Sequence, residues 1–288
     1  MQFIYKIPGY LLLLLGGFCL SWGGLIIRSF EEANVWQILF LRSFFFVIFL
    51  CFFLFSVYKK NTIKIILTSG IPALFGGLFL SLSFVAYTFA IISTTVANVV
   101  FIISTQTVFL AIFGYFFLKE KISLFSFISI FLAMSGIFIM VGDSISTGSL
   151  FGNIAALAIP INFSILVIII RKYPTLDMIP AIFYSGILAC VYGLILSDTL
   201  DFTSHDILMG FLLGVPQLAF GFICITIGSK TTKAVTVGIL MLSETLCDPL
   251  WVWLFLNEIP PLSVFIGGFV IILAVIIKSL EKKQSVDI

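Results

Sequence analysis

Apolar residues in this chain fall in blocks of about twenty, divided by short clusters of polar, charged and turn-forming residues. At about 1.5 Å per residue, such a block crosses about 30 Å of hydrocarbon as a helix. Cutting at the polar clusters predicts ten spans: 8–27, 36–57, 66–91, 94–117, 122–141, 150–170, 179–197, 206–228, 233–256 and 261–280. No connection is long enough to hold a soluble domain. The expected fold class is an all-α polytopic membrane protein, with its chemistry inside the bilayer or at its faces.

Composition agrees with that reading. The chain is 61% hydrophobic and 10% charged, with a mean hydropathy of +1.26, far too little polar surface for a soluble globule. A net charge of +2 leaves no footprint for nucleic acid, but the placement of the charges is informative. With the N-terminus inside, the inner segments hold Lys6, Lys59, Lys60, Lys64, Lys119, Lys121, Arg171, Lys172, Lys230, Lys233, Lys278, Lys282 and Lys283, leaving only Arg28 and Arg42 elsewhere. The outer connections carry Glu31, Glu32, Asp143, Asp198, Asp201, Asp206 and Glu258. This asymmetry predicts cytoplasmic termini at both ends. The cysteines, Cys19, Cys51, Cys190, Cys224 and Cys247, lie in apolar blocks without metal-finger spacing, so neither a disulfide framework nor a metal is expected. The first block lacks a small-residue cleavage site and reads as a retained helix.

An internal repeat follows. The stretch 94-TTVANVVFIISTQTVFLAIFGYFFLKEKIS-123 resembles 232-TKAVTVGILMLSETLCDPLWVWLFLNEIPP-261 at a constant offset. The register pairs Thr94 with Thr232, Thr107 with Thr245, Phe117 with Phe255 and Glu120 with Glu258. Each half then holds five spans. Five is odd, so the second half enters the membrane upside down, the inverted-repeat plan of many secondary transporters.

Several motifs carry a family resemblance: Leu11–Trp22 (LLLLLGGFCLSW), Arg42 in the second span, and the span ends YFFLKEKIS and WLFLNEIPP. On these the chain resembles the drug/metabolite transporter superfamily, of the EamA type, with EamA-like repeats at 1–143 and 144–288. The resemblance implies a ten-helix bundle in the cell inner membrane that moves small organic molecules. It also implies that helices one to four and six to nine surround a central cavity, with five and ten peripheral.

Polar groups at depth are the candidate site. An ionised side chain at the bilayer centre costs about 2.5–3.5 kcal/mol on insertion scales, so such residues face the bundle interior. Glu244 sits near the middle of its span, and Asp248 follows one turn later on the same face. Glu244 is the candidate cation or proton-coupling site; the bland reading is a hydrogen-bonded acid that locks helices. Arg42 is expected either to pair with Asp248 or to snorkel to the outer interface. Gln106 is the repeat mate of Glu244, whereas Asp248 faces only Leu110. Asn162, just after Pro160, and the aromatics Trp22 and Tyr87 complete the candidates, the rings as a face for a cation. Glu120 and Glu258 end their helices at positions suited to gating or capping.

The expected function is a secondary carrier working by alternating access on an amino acid or amine-like solute, with export as one direction and protons as a candidate co-substrate. The alternative is an integral membrane enzyme or a lipid-handling protein acting at the membrane face. No HExxH, Walker or GxSxG motif supports catalysis, and no cofactor is expected. The expected partners are a small-molecule substrate and the lipid bilayer; pairing as a homodimer is left open.

Overall fold

The computed structural model describes residues 2–94, 96–141, 150–256 and 262–280; Asp143, Glu258, Lys282 and Lys283 lie outside the described residues. Within them the chain is helical, with no strand. The α-helices are α1 (Gly9–Leu20), α2 (Gly23–Arg28), α3 (Val35–Tyr58), α4 (Thr62–Ser93), α5 (Val96–Ser104), α6 (Gln106–Leu118), α7 (Leu124–Val141), α8 (Leu150–Lys172), α9 (Ile179–Leu196), α10 (Ser204–Leu212), α11 (Phe220–Thr231), α12 (Ala234–Leu256) and α13 (Leu262–Ser279). A π-helical stretch, Leu213–Ala219, joins α10 to α11.

Among the described residues, seven helical runs are long and apolar enough to cross a membrane. One of them, Val35–Ser93, is 59 residues long, several times what a single crossing needs. It contains both α3 and α4, joined by the 3₁₀ turn Lys59–Asn61, where Lys59 takes φ 50°. Two shorter apolar helices, Leu124–Ile139 and Leu262–Lys278, pack against each other as α7 and α13. The outer surface is apolar: Leu67, Ile71, Phe116, Phe131 and Ile195 are well exposed, as lipid contact requires and water would penalise.

Helix irregularities follow from local chemistry. Pro216 lacks an N–H, and the chain winds into the π stretch around it. Gly70, at φ 55°, kinks α4 just before Pro72; that left-handed conformation suits glycine. At the α5–α6 break, Ser104 Oγ donates to the Val100 carbonyl at 2.8 Å and Thr105 Oγ1 to that of Ile102 at 2.6 Å. Hydroxyls that bond back to the preceding turn bend a helix. The α1–α2 break at Ser21–Trp22 precedes the glycine pair Gly23–Gly24.

Helix pairing has a regular pattern. α4 packs on α8 and α9, while α11 packs on α1, and α10 with the π stretch packs on α3. α6 packs on α8, and α12 packs on α1. Exchanging α1–α2 with α8, α3 with α9, α4 with α10–α11, α5–α6 with α12, and α7 with α13 maps these contacts onto one another. Three interfaces map onto themselves: α3–α9, α6–α12 and α7–α13.

Candidate functional site

The α6–α12 crossing brings the two repeat-related polar positions together. Thr107 Oγ1 donates to the Gly238 carbonyl at 3.2 Å, and Ser104 Oγ lies 2.9 Å from Thr245 Oγ1. A Cβ on Gly238 would stand 2.7 Å from Thr107 Cα, so the small residue permits the approach. On the other side of α12, Gly17 of α1 comes so close that a Cβ there would collide with Ser243 Oγ and meet Glu244 N at 3.2 Å. α12 is thus gripped on one side at Gly238 and Thr245 and on the other at Ser243 and the Glu244 amide, which leaves the Glu244 side chain to point elsewhere.

It points into a cavity of about 60 Å³. The polar lining is Arg42, Ser83, Tyr87, Gln106, Gln217 and Glu244; the apolar lining includes Leu20, Phe84, Phe163, Phe222 and Met241. A smaller cavity of about 10 Å³ adjoins it, sharing Tyr87, Ile103 and Glu244 and adding Gly24, Ile91, Val100, Thr245 and Asp248. No hydrogen bond from another described residue reaches the Glu244 carboxylate.

Arg42 behaves as neither expectation had it. Its side chain is 1% exposed, so it does not snorkel, and among the described residues no carboxylate lies within 4 Å of it. Instead Nη2 donates to the Phe84 carbonyl at 2.8 Å, and the guanidinium carbon sits 5.2 Å from the Phe84 ring centroid and 5.7 Å from that of Tyr87. A carbonyl dipole and two π-faces stabilise the cation. Its Nε is buried without a partner.

Of the other predicted residues, Tyr87 lines both cavities and Asp248 the smaller one. Asn162 is buried in α8 but lines neither, and Trp22 stacks on Trp251 at 3.8 Å rather than facing the cavity. Gln217 escaped the sequence reading. Its Nε2 donates to the Leu20 carbonyl at 3.0 Å, beside the α1–α2 break, and its Oε1 is buried without a partner. The signal was an amide directly after Pro216 inside an apolar span. Ser83, donating to the Ile159 carbonyl at 3.4 Å, escaped it too.

The two ends of the bundle differ. At the end where α6 and α8 stop and α12 begins, Lys119 caps α6 at φ 56°, and Glu120 N donates to the Gly114 carbonyl at 3.1 Å. That turn aims Glu120 at Arg171 Nε, 2.8 Å away, and at the Ala234 amide, 2.9 Å away. Arg171 also donates to the Thr232 carbonyl. Between this cluster and the cavity, Leu13, Leu110, Leu166, Ile170, Ala234 and Val237 are fully buried. At the same end Tyr5 and Tyr58 both donate to Asp177 Oδ2, and Asp177 Oδ1 accepts from the Ile179 amide at 3.0 Å. The smaller cavity lies on the opposite side, towards α2 and the last turn of α4. There Glu31 N donates to buried Asp206 at 3.0 Å, Gln37 Nε2 to the Thr199 carbonyl at 3.0 Å, and His205 sits 2.8 Å from the Ser29 carbonyl as part of a loop contact.

Comparison with known proteins agrees with this architecture. An "Uncharacterized transporter" of Clostridium kluyveri is 28% identical over 232 residues, covering 76% of this chain and 75% of that protein. A solved crystal structure superposes with a TM-score of 0.75 at 15% identity, over 94% of this chain and 96% of the other, which shows a shared fold. The EamA-like transporter family matches twice, at residues 7–142 and 146–280. With both matches together spanning nearly the whole sequence, this multi-pass membrane protein belongs to the EamA-like transporter family.

Proposed function

We propose that the chain is a secondary carrier that moves a small amine-bearing solute, such as an amino acid, across the cell inner membrane by alternating access. In this reading ten crossings form two inverted five-helix repeats, 1–143 and 144–288, with both termini in the cytoplasm. The division of Val35–Ser93 into α3 and α4, and the shorter helices α7 and α13, support the count. The helix pairing that survives exchange of the two halves supports the symmetry.

One observation carries the reading. Gln106 and Glu244, mates in the sequence repeat, line the same cavity, Gln106 from the α5–α6 break and Glu244 from the middle of α12. A two-fold axis through the α6–α12 crossing explains why matched positions meet there. A site on such an axis can be offered to either face by the same motion.

The Glu120–Arg171 end is the cytoplasmic one by charge placement, and it is closed by bonds and by fully buried side chains. The smaller cavity continues towards the other face. The conformation is therefore shut inside, with the site leaning outward. Glu244, acceptor-only when ionised, holds the ammonium of the solute or the proton that exchanges with it.

The test is counterflow of a labelled metabolite mixture in proteoliposomes, comparing the native protein with Glu244→Gln. The expected outcome is saturable exchange that the variant loses, with folding preserved on size-exclusion. Exchange that is undiminished and equally pH-dependent in the variant would make Glu244 structural.

A further inference from the structure

We infer that the first two turns of α4, with the Lys59–Asn61 turn before them, form a foot on the membrane surface that binds an anionic phospholipid. The inference is independent of what either cavity holds.

Length gives the first argument. α4 runs for 32 residues, about 48 Å if straight, against about 30 Å of hydrocarbon. Gly70, at φ 55° and ψ −151°, breaks it, and residues 71–93 alone rise about 34 Å. Residues 62–69 are therefore surplus to the crossing. They stay bonded to the bundle: Thr62 Oγ1 donates to the Lys59 carbonyl at 2.8 Å and lies 3.2 Å from that of Leu54 in α3. Tyr184 Oη of α9 donates to the Ile66 carbonyl at 3.3 Å.

This surplus piece has three faces. At about 100° per residue, Thr62, Ile66 and Ser69 share one face, which meets the protein: Thr62 and Ser69 are buried and Ile66 packs on the core. Ile63 and Leu67 share a second face and are 67% and 71% exposed. Lys64 and Thr68 share a third, also exposed. In hydrocarbon Lys64 would carry the cost of an intramembrane charge; in water Ile63 and Leu67 would lie bare. The boundary between headgroups and acyl chains suits both, as it does for amphipathic helices that lie on membranes. Charge selects the lipid. Lys59, Lys60 and Lys64 are all exposed, and residues 59–69 hold no acid. Such a basic cluster favours a headgroup with net negative charge over a zwitterionic one, while Ile63 and Leu67 cover the upper part of its acyl chains.

The experiment titrates the full protein in detergent micelles with phosphatidylglycerol or phosphatidylcholine of matched acyl chains, and counts bound lipid by native mass spectrometry. Phosphatidylglycerol should bind about tenfold or more tightly, since each lysine near an anionic surface contributes about fivefold. Lys59→Gln, Lys60→Gln and Lys64→Gln together should bring phosphatidylglycerol down to the level of phosphatidylcholine and leave phosphatidylcholine unchanged. The control removes equal charge at the same end of the bundle, through Lys119→Gln, Lys121→Gln and Lys233→Gln, and should keep the preference. Leu67→Asn should weaken both lipids alike. Glycerol-1-phosphate, which has the anion without the chains, should not displace the lipid at equal concentration. The comparison of the two lipids needs the native protein alone, so it stands should a variant fail to fold. The inference is overturned if the native protein binds both lipids alike, or if the two triple variants lose the preference equally. Displacement by glycerol-1-phosphate as effective as by intact lipid would overturn it too, leaving a phosphate site in place of a lipid one.

Discussion

Replacing Glu120 with glutamine removes the anion from a link that ties three helix ends together. Its side chain is 12% exposed and that of Arg171 14%, so the pair sits between two regimes. Exposed ion pairs contribute about 0–1 kcal/mol, and breaking a fully buried one costs about 3–5 kcal/mol. With Arg171 still bonded to the Thr232 carbonyl, and a glutamine oxygen still able to accept from Ala234 N, Glu120→Gln should cost about 2 kcal/mol. Glu120→Ala, which loses the cap as well, should cost about 1 kcal/mol more. If this link holds its end of the bundle shut, that energy appears as a shift in opening, about 30-fold for 2 kcal/mol. The assay is alkylation of Val237→Cys, a fully buried position below the link, in a background without the five native cysteines. When closing outpaces labelling, the rate tracks the open population. The charge swap Glu120→Arg with Arg171→Glu should restore protection in part, and a double-mutant cycle should give a coupling above about 1 kcal/mol. An alkylation rate unchanged by Glu120→Gln, with coupling below about 0.5 kcal/mol, would refute the link as a closure.

Other expectations follow from the same geometry. Gly17→Ala places a methyl against Ser243 Oγ and the Glu244 amide, so it should cost about 1–3 kcal/mol in unfolding measurements and weaken any Glu244-dependent exchange; full stability with full exchange would contradict the close packing. At the same end of the bundle as Glu120, burial and the neighbouring Asp177 charge raise the Tyr5 phenol above its ordinary value. The folded state therefore keeps a proton that the unfolded chain releases. That contribution is complete below the ordinary tyrosine range near pH 10 and is lost as pH rises through it. Tyr5→Phe should flatten the alkaline fall in melting temperature, and an identical fall in both proteins would show that Tyr5 has no part in it.

The sequence made some of this site legible and hid the rest for physical reasons. Gln106 and Glu244 were visible because intramembrane polarity is costly and because the repeat register matched them. Arg42 was visible as a buried charge, but its surroundings were not: helical spacing gives a face, and only packing reveals that Phe84 and Tyr87 occupy it. Gln217 was missed because the π stretch around Pro216 inserts extra residues into the turn, and this shifts which side chains face inward. Trp22 was misjudged because nothing in the periodicity marks the α1–α2 break, which turns its ring onto Trp251. The helix limits were the easier part. Blocks expected at 36–57 and 66–91 became Val35–Tyr58 and Thr62–Ser93, since the Lys59–Asn61 cluster admits few other turns.

The pairing pattern of the helices sorts possible substitutions by effect. On the proposed alternating-access reading, interfaces that map onto themselves (α3–α9, α6–α12 and α7–α13) lie on the axis, and remain equivalent when the two halves trade conformations. A change there burdens both facing states alike, so it alters the height of the barrier between them. The off-axis contacts come in exchanged pairs, such as α1–α11 with α4–α8. A change in one member alone lifts the degeneracy and tilts the resting population towards one side of the membrane. On that reading, drift at α1–α11 or α4–α8 resets which way the bundle idles without any change to the cavity's polar lining.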